Sequence, residues 1–314
     1  MSFAEQERAL FDLLFDCSLR ENFCSDPGKA LAAYDLDKQE RTDFSTIRPD
    51  ALQIDAKMRT YLLLAHWCKS YPLTFSLVSS LDGGIEILRQ LVDTETMRLP
   101  PGERAATYGS RLREWLGEYR FDSPKEQAGK EQAMILAILG AEFGMVWAAT
   151  TLKQAALNDE LDQSGAAEKQ YEQTDGWSGR PIRFASYVCA VMFPQSYQQL
   201  KQALCPVVDS GLWKRISDSP LSPRFVSDVL KQEDPRLLVT RAWISHPSRC
   251  EPTVEHKMVE LSEGFAPLFQ HVDGSMSVDA MLQQLQQVGA EDALLQGVKA
   301  GFQELLEQGM LELG

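Results

Sequence analysis

The chain has 314 residues, enough for two domains that each bury a core of their own. Hydrophobic residues make up 44% of the sequence and charged residues 24%, which is typical of a globular protein and excludes a largely disordered chain. The formal net charge of −14 argues against a nucleic-acid-binding surface, because phosphate contacts are made by clustered lysine and arginine.

Residues 1–157 are predicted to form an all-α domain, because helical patterns follow one another and strand signals are sparse. Asp26-Pro27 is typical of a helix start, since aspartate caps the helix and proline fits its first turn. Further helices are expected near residues 50–68, 82–94, 105–119 and 125–154. The first helix is predicted from an apolar stripe of Phe3, Leu10, Phe11, Leu14 and Phe15.

The longest apolar run, residues 133–149, is near the lower length limit of a membrane span and contains Glu142. We therefore interpret it as a buried core helix, in which Gly140 and Gly144 let another helix pack closely. The N-terminal residues lack the basic start and apolar run of a secretory signal, and the six cysteines form no C-x-x-C pair. These features predict a cytoplasmic protein with reduced thiols and no membrane partner.

Residues 158–233 are predicted to connect two domains through helices and loops, because their first part is rich in polar residues and glycine. Residues 182–193 could form a strand or a buried helix, since their periodicity does not decide between them. Aromatic residues and arginine are common anchors of protein interfaces. Two such clusters are candidate partner surfaces: Trp115, Tyr119, Arg120 and Phe121, and Trp177, Arg180 and Arg183.

Residues 234–314 are predicted to form a small winged-helix-like domain, which makes the expected fold class α+β. Residues 237–244 and 254–261 read as the two strands of a hairpin. Three short helices should follow, with Ser262 a plausible cap of the first, the second starting near Ser277 and the third near Glu291. Gly309 should end the last helix before a final strand. From Arg236 onward, five basic residues stand against eleven acidic ones, which disfavours binding to DNA.

This order of residues resembles the peptide-recognition element of ribosomal-peptide maturation, which has the fold of the PqqD chaperone. The resemblance implies a module that binds a precursor peptide and carries no chemistry of its own. It covers about a quarter of the chain and lies in Val259-x-Leu261-Ser262, Phe265, Leu268-Phe269, Asp273-Gly274 and Phe302-x-x-Leu305-Leu306-Glu307-x-Gly309-Met310-Leu311.

A second, shorter resemblance lies near the N-terminus. It is to the small helical subunit of two-component extradiol dioxygenases, which caps a separate iron-bearing subunit. It is carried by Leu19-Arg20-Glu21-Asn22-Phe23, Asp26-Pro27, Ala30-Leu31, Tyr34, Leu36 and Glu40-Arg41.

A helical front followed by a PqqD-like unit resembles the MbnC, HvfC and TglI types of accessory subunit, and among them the TglI type of 3-thiaglutamate biosynthesis most. The resemblance implies a non-catalytic protein with no cofactor in this chain. Iron would belong to a catalytic partner of the MbnB or TglH type. This chain would hold a precursor peptide and present the peptide's C-terminal cysteine to that oxidase.

A peptide could bind by adding one more strand to an open sheet edge in residues 237–244 or 254–261, beside a groove formed with the last helix. Basic residues there would attract an acidic leader peptide. The candidate contacts are Val239, Arg241, Trp243, Lys257, Val298, Lys299 and Phe302.

Two other functions stay open. A winged-helix transcription regulator needs a basic recognition helix, whereas the last helix carries mainly acidic residues. A free-standing helical di-iron enzyme needs Glu-x-x-His pairs, and the chain contains none. His246, Cys250 and His256 have spacing that could suggest a metal site, but they lie around a hairpin turn where ligands need not converge. We expect no metal here, and we expect His66 to pack in a core and His271 to cap a helix end.

Overall fold

A computed structural model describes residues 3–120, 125–161, 175–205, 211–231, 234–246 and 252–314. The fold is α+β: these residues form helices and two small three-stranded antiparallel sheets. The helices are α1 Phe3–Phe15, α2 Cys17–Ser25, α3 Pro27–Ala30, α4 Lys38–Ser45, α5 Pro49–Trp67, α6 Pro72–Ser79, α7 Gly84–Gln90, α8 Thr94–Arg98, α9 Pro101–Glu118, α10 Lys125–Leu157, α11 Tyr197–Leu204, α12 Leu212–Asp218, α13 Pro223–Leu230, α14 Val278–Gln287 and α15 Asp292–Glu307. The strands are β1 Pro181–Phe184, β2 Val188–Phe193, β3 Arg236–His246, β4 Thr253–Ser262, β5 Asp273–Ser277 and β6 Leu311–Leu313.

The chain divides into two compact units. Unit 1 comprises residues 1–115 and 207–223, and unit 2 comprises residues 116–206 and 224–314. The predicted domain limits at residues 157 and 233 differ from this division. The reason is that α10 packs against β2 and β3, so a helix placed with the N-terminal domain by its sequence shares a core with later strands.

Unit 1 is helical, and side chains that cap helix ends set several of its boundaries. The predicted start at Asp26-Pro27 is confirmed, because the Asp26 carboxylate accepts a hydrogen bond from the Lys29 backbone N–H at 3.0 Å. Asp37 and Glu40 form a reciprocal capping box at the start of α4.

The buried face of α1 differs from the predicted stripe. Ala9, Leu13 and Leu14 face the core, whereas Phe3 is 77% exposed. The apolar stripe therefore located the helix and identified its inner face only in part: Leu14 is buried, whereas Phe3 and Leu10 are exposed.

The long helix α5 carries apolar residues on two faces. Leu52, Ala56, Leu64 and Trp67 are buried. Ile54, Met58 and Leu62 are equally apolar, yet they are 64%, 54% and 59% exposed. Because residues four apart share a helix face, these three form one exposed stripe.

Tyr34 makes the stability of unit 1 depend on pH in the alkaline range. Its hydroxyl donates a hydrogen bond to Asp12 Oδ2 at 2.9 Å. Burial first, and then this bond, raise the pKa of Tyr34 to about 12. The pKa of a tyrosine in an unfolded chain is about 10. A group whose pKa is raised by folding stabilises the fold below the unfolded pKa, and that contribution is lost as the pH rises through the folded pKa.

We expect Tyr34→Phe to lower the free energy of unfolding by about 1 kcal/mol at neutral pH, because the hydrogen bond to Asp12 is lost. The difference in the free energy of unfolding between the parent chain and the variant should shrink between about pH 10 and pH 12. In this range ionisation of Tyr34 destabilises the folded parent and has no counterpart in the variant. Urea titrations of both chains across this range measure the difference. A difference that stays constant to pH 12 contradicts the assignment.

In unit 2, β2, β3 and β4 form one antiparallel sheet with β3 at its centre. Leu237 and Val239 on one face of β3 enter the main core of the unit. Ala242 and Ile244 on the other face pack with Leu152 of α10. Both faces of β3 are therefore covered, which explains its uninterrupted run of apolar residues.

The second sheet has the order β5-β1-β6, and its centre comes from the segment predicted as a connection. Residues 182–193 form two strands instead of one element, because the chain leaves β1 and enters the other sheet at β2. Tyr187 lies at this passage with a φ of 62°, a left-handed conformation that is uncommon for a residue with a side chain. The helices α14 and α15 contribute Met281 and Phe302 to the same core as Ile182 of β1.

The apolar helix α10 is buried along one face only. Residues 128–157 are long and apolar enough to span a membrane, and about a third of their most apolar window is buried. Trp147 on the outer side is 59% exposed. The expectation of a fully buried core helix is therefore corrected to a helix that covers a sheet. The close contact of Gly144 is with Cys189 of β2 and not with another helix. At Gly140, no neighbouring segment of the described chain lies within 4 Å of the position of a Cβ.

Candidate functional site

The β3–β4 hairpin contains the stretch predicted to bind a peptide. The predicted pairing of its two strands is confirmed, with Val239 opposite Val259 and Arg241 opposite Lys257. However, β3 is hydrogen-bonded to β4 on one side and, from Arg236 to Arg241, to β2 on the other, so most of residues 237–244 offer no open edge. Among the described residues β4 pairs with β3 alone. Of the two edges predicted to be open, only the outer side of β4 can therefore receive another strand.

Five of the seven predicted contact residues are buried. Val239, Val298 and Phe302 belong to the main core of unit 2. Arg241 and Trp243 lie on the central strand and are 1% and 5% exposed. The expectation that these five line an exposed groove is corrected, because β2 and β4 flank the strand while helices cover the sheet.

The two remaining predicted contacts, Lys257 and Lys299, reach the surface. Lys299 is exposed on α15. Lys257 is partly exposed on β4, and its ammonium lies 5.8 Å from the centre of the Trp243 ring. This distance is within the range of a cation–π interaction, which holds the ammonium at the sheet. These two lysines carry the positive charge that the predicted site retains at the surface.

Along β4, side chains alternate between the core and the outside. Val259 and Leu261 are buried, whereas Met258, which directly precedes Val259, is 36% exposed. Glu260 accepts a hydrogen bond from the Gln198 backbone N–H at 3.0 Å, so one side of the strand's end is tied to the start of α11. The stretch with the most exposed side chains is therefore 253–258, nearer the turn of the hairpin.

His256 stays neutral down to a lower pH than an ordinary histidine does. Desolvation first, and then the charge of Lys153, lower its pKa although part of the side chain is exposed. At neutral pH this residue adds no positive charge to β4.

His246 and His256, whose spacing could suggest a metal site, do not meet on the hairpin. The strand register places His246 opposite Thr253 and His256 opposite Ala242. The two histidines are thus separated by about 10 Å along the strands. Cys250, the third residue of the pattern, lies outside the described residues. Across the part of the chain that the structure describes, no three His, Cys, Asp or Glu side chains are placed to hold a metal ion.

The two predicted partner surfaces are placed differently. Arg180 donates to the Gly314 backbone oxygen at 2.8 Å, and Arg183 pairs with Glu312 at 3.0 Å. Trp177 is buried in the core of unit 2, so this cluster binds the chain's own β6 region.

In the other cluster Trp115 and Tyr119 are partly exposed and Arg120 is exposed. Phe121 lies outside the described residues. This group thus keeps side chains at the surface.

Sequence reasoning missed the role of residues 181–184. Their alternation is too short to distinguish a strand from a loop, and their partners β5 and β6 follow roughly ninety and one hundred and thirty residues later. The only local signal was the run of apolar residues after Pro181. No protein-family profile, curated protein or solved structure matches this chain.

Proposed function

We propose that this chain is a non-catalytic subunit that binds a ribosomally made precursor peptide. The peptide adds as a strand along β4, and its C-terminal cysteine is presented to a separate iron-dependent oxidase. The resemblance to the TglI type of accessory subunit suggests modification of the 3-thiaglutamate kind. The observation that carries the proposal is the position of β4, a ten-residue outer strand that pairs with β3 alone in the described chain.

A strand edge suits an unfolded peptide because its unpaired N–H and C=O groups bind any backbone. Specificity then comes from the side chains beside the edge. Met258 offers an exposed apolar contact on β4, and Lys257 and Lys299 offer positive charge to an acidic leader. The buried residues Val239, Val298 and Phe302 support this surface from within and do not touch the peptide.

The winged-helix assignment belongs to the same proposal. Support comes from β5, α14, α15 and β6, which follow one another as strand, two helices and strand, with β5 and β6 both paired to β1. Ser277 caps α14 by accepting from the Ala280 backbone N–H at 3.3 Å. We assign this arrangement as a PqqD-like recognition element whose hairpin is β3–β4.

The catalytic chemistry is assigned to a partner of the MbnB or TglH type that carries the iron, in the cytoplasm. In this scheme the present chain holds no cofactor and binds neither nucleic acid nor membrane. We expect the gene's neighbours to encode a short peptide that ends in cysteine and a barrel protein rich in His, Asp and Glu. Co-expression with that barrel protein should yield a stable heterodimer.

Binding of the short neighbouring peptide should protect the backbone amides of β4 from hydrogen exchange and leave those of β3 unchanged, because β3 is already paired on both sides. Lys257→Glu together with Lys299→Glu should weaken binding of the peptide by roughly tenfold. Hydrogen exchange with mass spectrometry and fluorescence anisotropy of the labelled peptide measure the two effects.

Lys231→Glu is the matched control, because Lys231 is an exposed lysine of unit 2 directly after α13, where it pairs with Asp228. It should leave affinity for the peptide within about twofold. Protection confined to segments other than β4 would overturn strand addition at this edge. Equal affinity of the double variant and the parent would remove the two lysines from the site.

A further inference from the structure

A cavity of about 960 Å³ lies within unit 1. It is bounded by the α1–α2 junction, one face of α5, the segment from α7 to α8, and Trp213 of α12. Its volume is at the upper end of the roughly 300–1,000 Å³ range of small-molecule sites. Every residue that lines it belongs to this one unit.

One wall of the cavity is apolar and open. Ile54, Met58 and Tyr61 of α5 line it and are 64%, 54% and 36% exposed. Their spacing of four and three residues places them on one face of the helix. Exposed apolar side chains gathered in a concave site favour binding of an apolar group, because binding removes their surface from water.

The cavity lining has more positive than negative charge available to a ligand. Lys57 and Arg89 line it, are exposed, and form no ion pair with another described residue. The Asp93 carboxylate is already bound by Arg111 at 2.6 Å. Asp16 is engaged as the cap of α2, where it accepts from the Leu19 backbone N–H at 2.9 Å. Arg20 also lines the cavity and donates to the Leu13 and Leu14 backbone oxygens at 3.0 Å. In a chain of net charge −14, three cations without a carboxylate partner in the described chain, two of them exposed, make this site attractive to an anion.

We propose that this cavity binds an amphipathic organic anion, with an apolar chain against α5 and a carboxylate near Lys57 and Arg89. The proposal is independent of peptide binding by unit 2, since no residue of β4 or α15 takes part. Either proposal can fail while the other stands.

The test uses decanoate as probe and the protein's own cysteines as reporters. Cys17 lines the cavity and is exposed, Cys24 is exposed outside it, and Cys68 is buried in the same unit. Decanoate should slow alkylation of Cys17 by iodoacetamide at least several-fold and leave the rate at Cys24 unchanged. Cys68 should stay unreactive, which shows that decanoate has not unfolded the unit. Peptide mapping by mass spectrometry follows the three sites separately.

The anionic part of the proposal is tested with Lys57→Gln combined with Arg89→Gln. This variant should weaken decanoate binding by roughly tenfold, measured by calorimetry. Arg59→Gln is the matched control: Arg59 is on the same helix, pairs with Asp55 at 3.0 Å and does not line the cavity. It should bind decanoate like the parent chain. Decanol, which has no charge, should bind the parent and the double variant equally.

Three results would overturn the inference. The first is alkylation of Cys17 at the same rate with and without decanoate. The second is equal slowing at Cys17 and Cys24, which would indicate non-specific adsorption. The third is unchanged affinity of the double variant for decanoate, which would mean that the two cations do not hold the anion.

Discussion

Gly84→Ala is expected to destabilise unit 1 by about 3 kcal/mol or more, the largest effect of any single methyl group that we predict. A Cβ at this position would lie 2.8 Å from the carbonyl carbon of Val78 and closer still to its oxygen. The obstacle is backbone of the fully buried helix α6, so no change of side-chain rotamer relieves the clash. The clash can be relieved only if the whole of α6 or the whole of α7 moves.

Gly102→Ala is the control in the same unit. Nothing lies within 4 Å of a Cβ at Gly102, which is in the first turn of α9. Alanine should be neutral there or stabilise the unit by up to about 1 kcal/mol, because it favours helix over glycine. Chemical unfolding of both variants measures the difference. Similar stability of Gly84→Ala and Gly102→Ala would show that α6 and α7 do not approach so closely in solution.

Gly301→Ala is expected to destabilise unit 2 by about 2 kcal/mol. Gly301 lies on the buried face of α15, and a Cβ there would meet the Phe265 ring, with Cε1 at 2.7 Å. Phe265 also packs edge-on against Phe302 at 5.8 Å between ring centres, so the ring has little room to move. The gain in helix propensity, about 1 kcal/mol, offsets only part of this clash.

Gly297→Ala measures the effect of helix propensity alone, because Gly297 lies one turn earlier on α15 and has open space at its Cβ position. It should stabilise unit 2 by about 1 kcal/mol. In the Gly301→Ala background, Phe265→Leu should cost less than it does in the parent chain, since a smaller side chain relieves the clash. Equal effects of the two glycine variants on the unfolding midpoint would contradict the packing of Phe265 against α15.

Several local features of the C-terminal third were predictable from sequence because local chemistry determines them. The first of the three predicted helices is an exception: residues 263–265 and 268–271 form two short 3-10 helices, and the Ser262 side chain makes no capping hydrogen bond. Ser277 and Glu291 precede α14 and α15 as expected, and Gly309 ends α15 with a φ of 67° that favours glycine. The hairpin of β3 and β4 followed from two apolar runs separated by a polar turn. Each of these signals lies within a few residues of the structure it specifies.

The candidate site was less predictable, because the position of a strand within its sheet depends on distant segments. Residues 237–244 are sufficiently apolar to be either an edge or a centre. The pairing of β2 with β3, from nearly fifty residues away, decides that Arg241 and Trp243 are interior. A single sequence contains no local signal for that pairing. The same limit applies to α5: its sequence predicts a helix but does not show which of its two apolar faces is buried.

The β5-β1-β6 sheet has a consequence for the order of events during synthesis. Its central strand leaves the ribosome long before either neighbour, since Ile182 pairs with Leu313 across most of the second half of the chain. Ile182 lacks both flanking strands until β5 has been made, α15 until residue 307 has been made, and the partner strand β6 until residues 311–313 have been made. Nascent chains that stop short of Leu311 should therefore expose an edge of this strand to chaperones and proteases, and chains that include Leu313 should resist them.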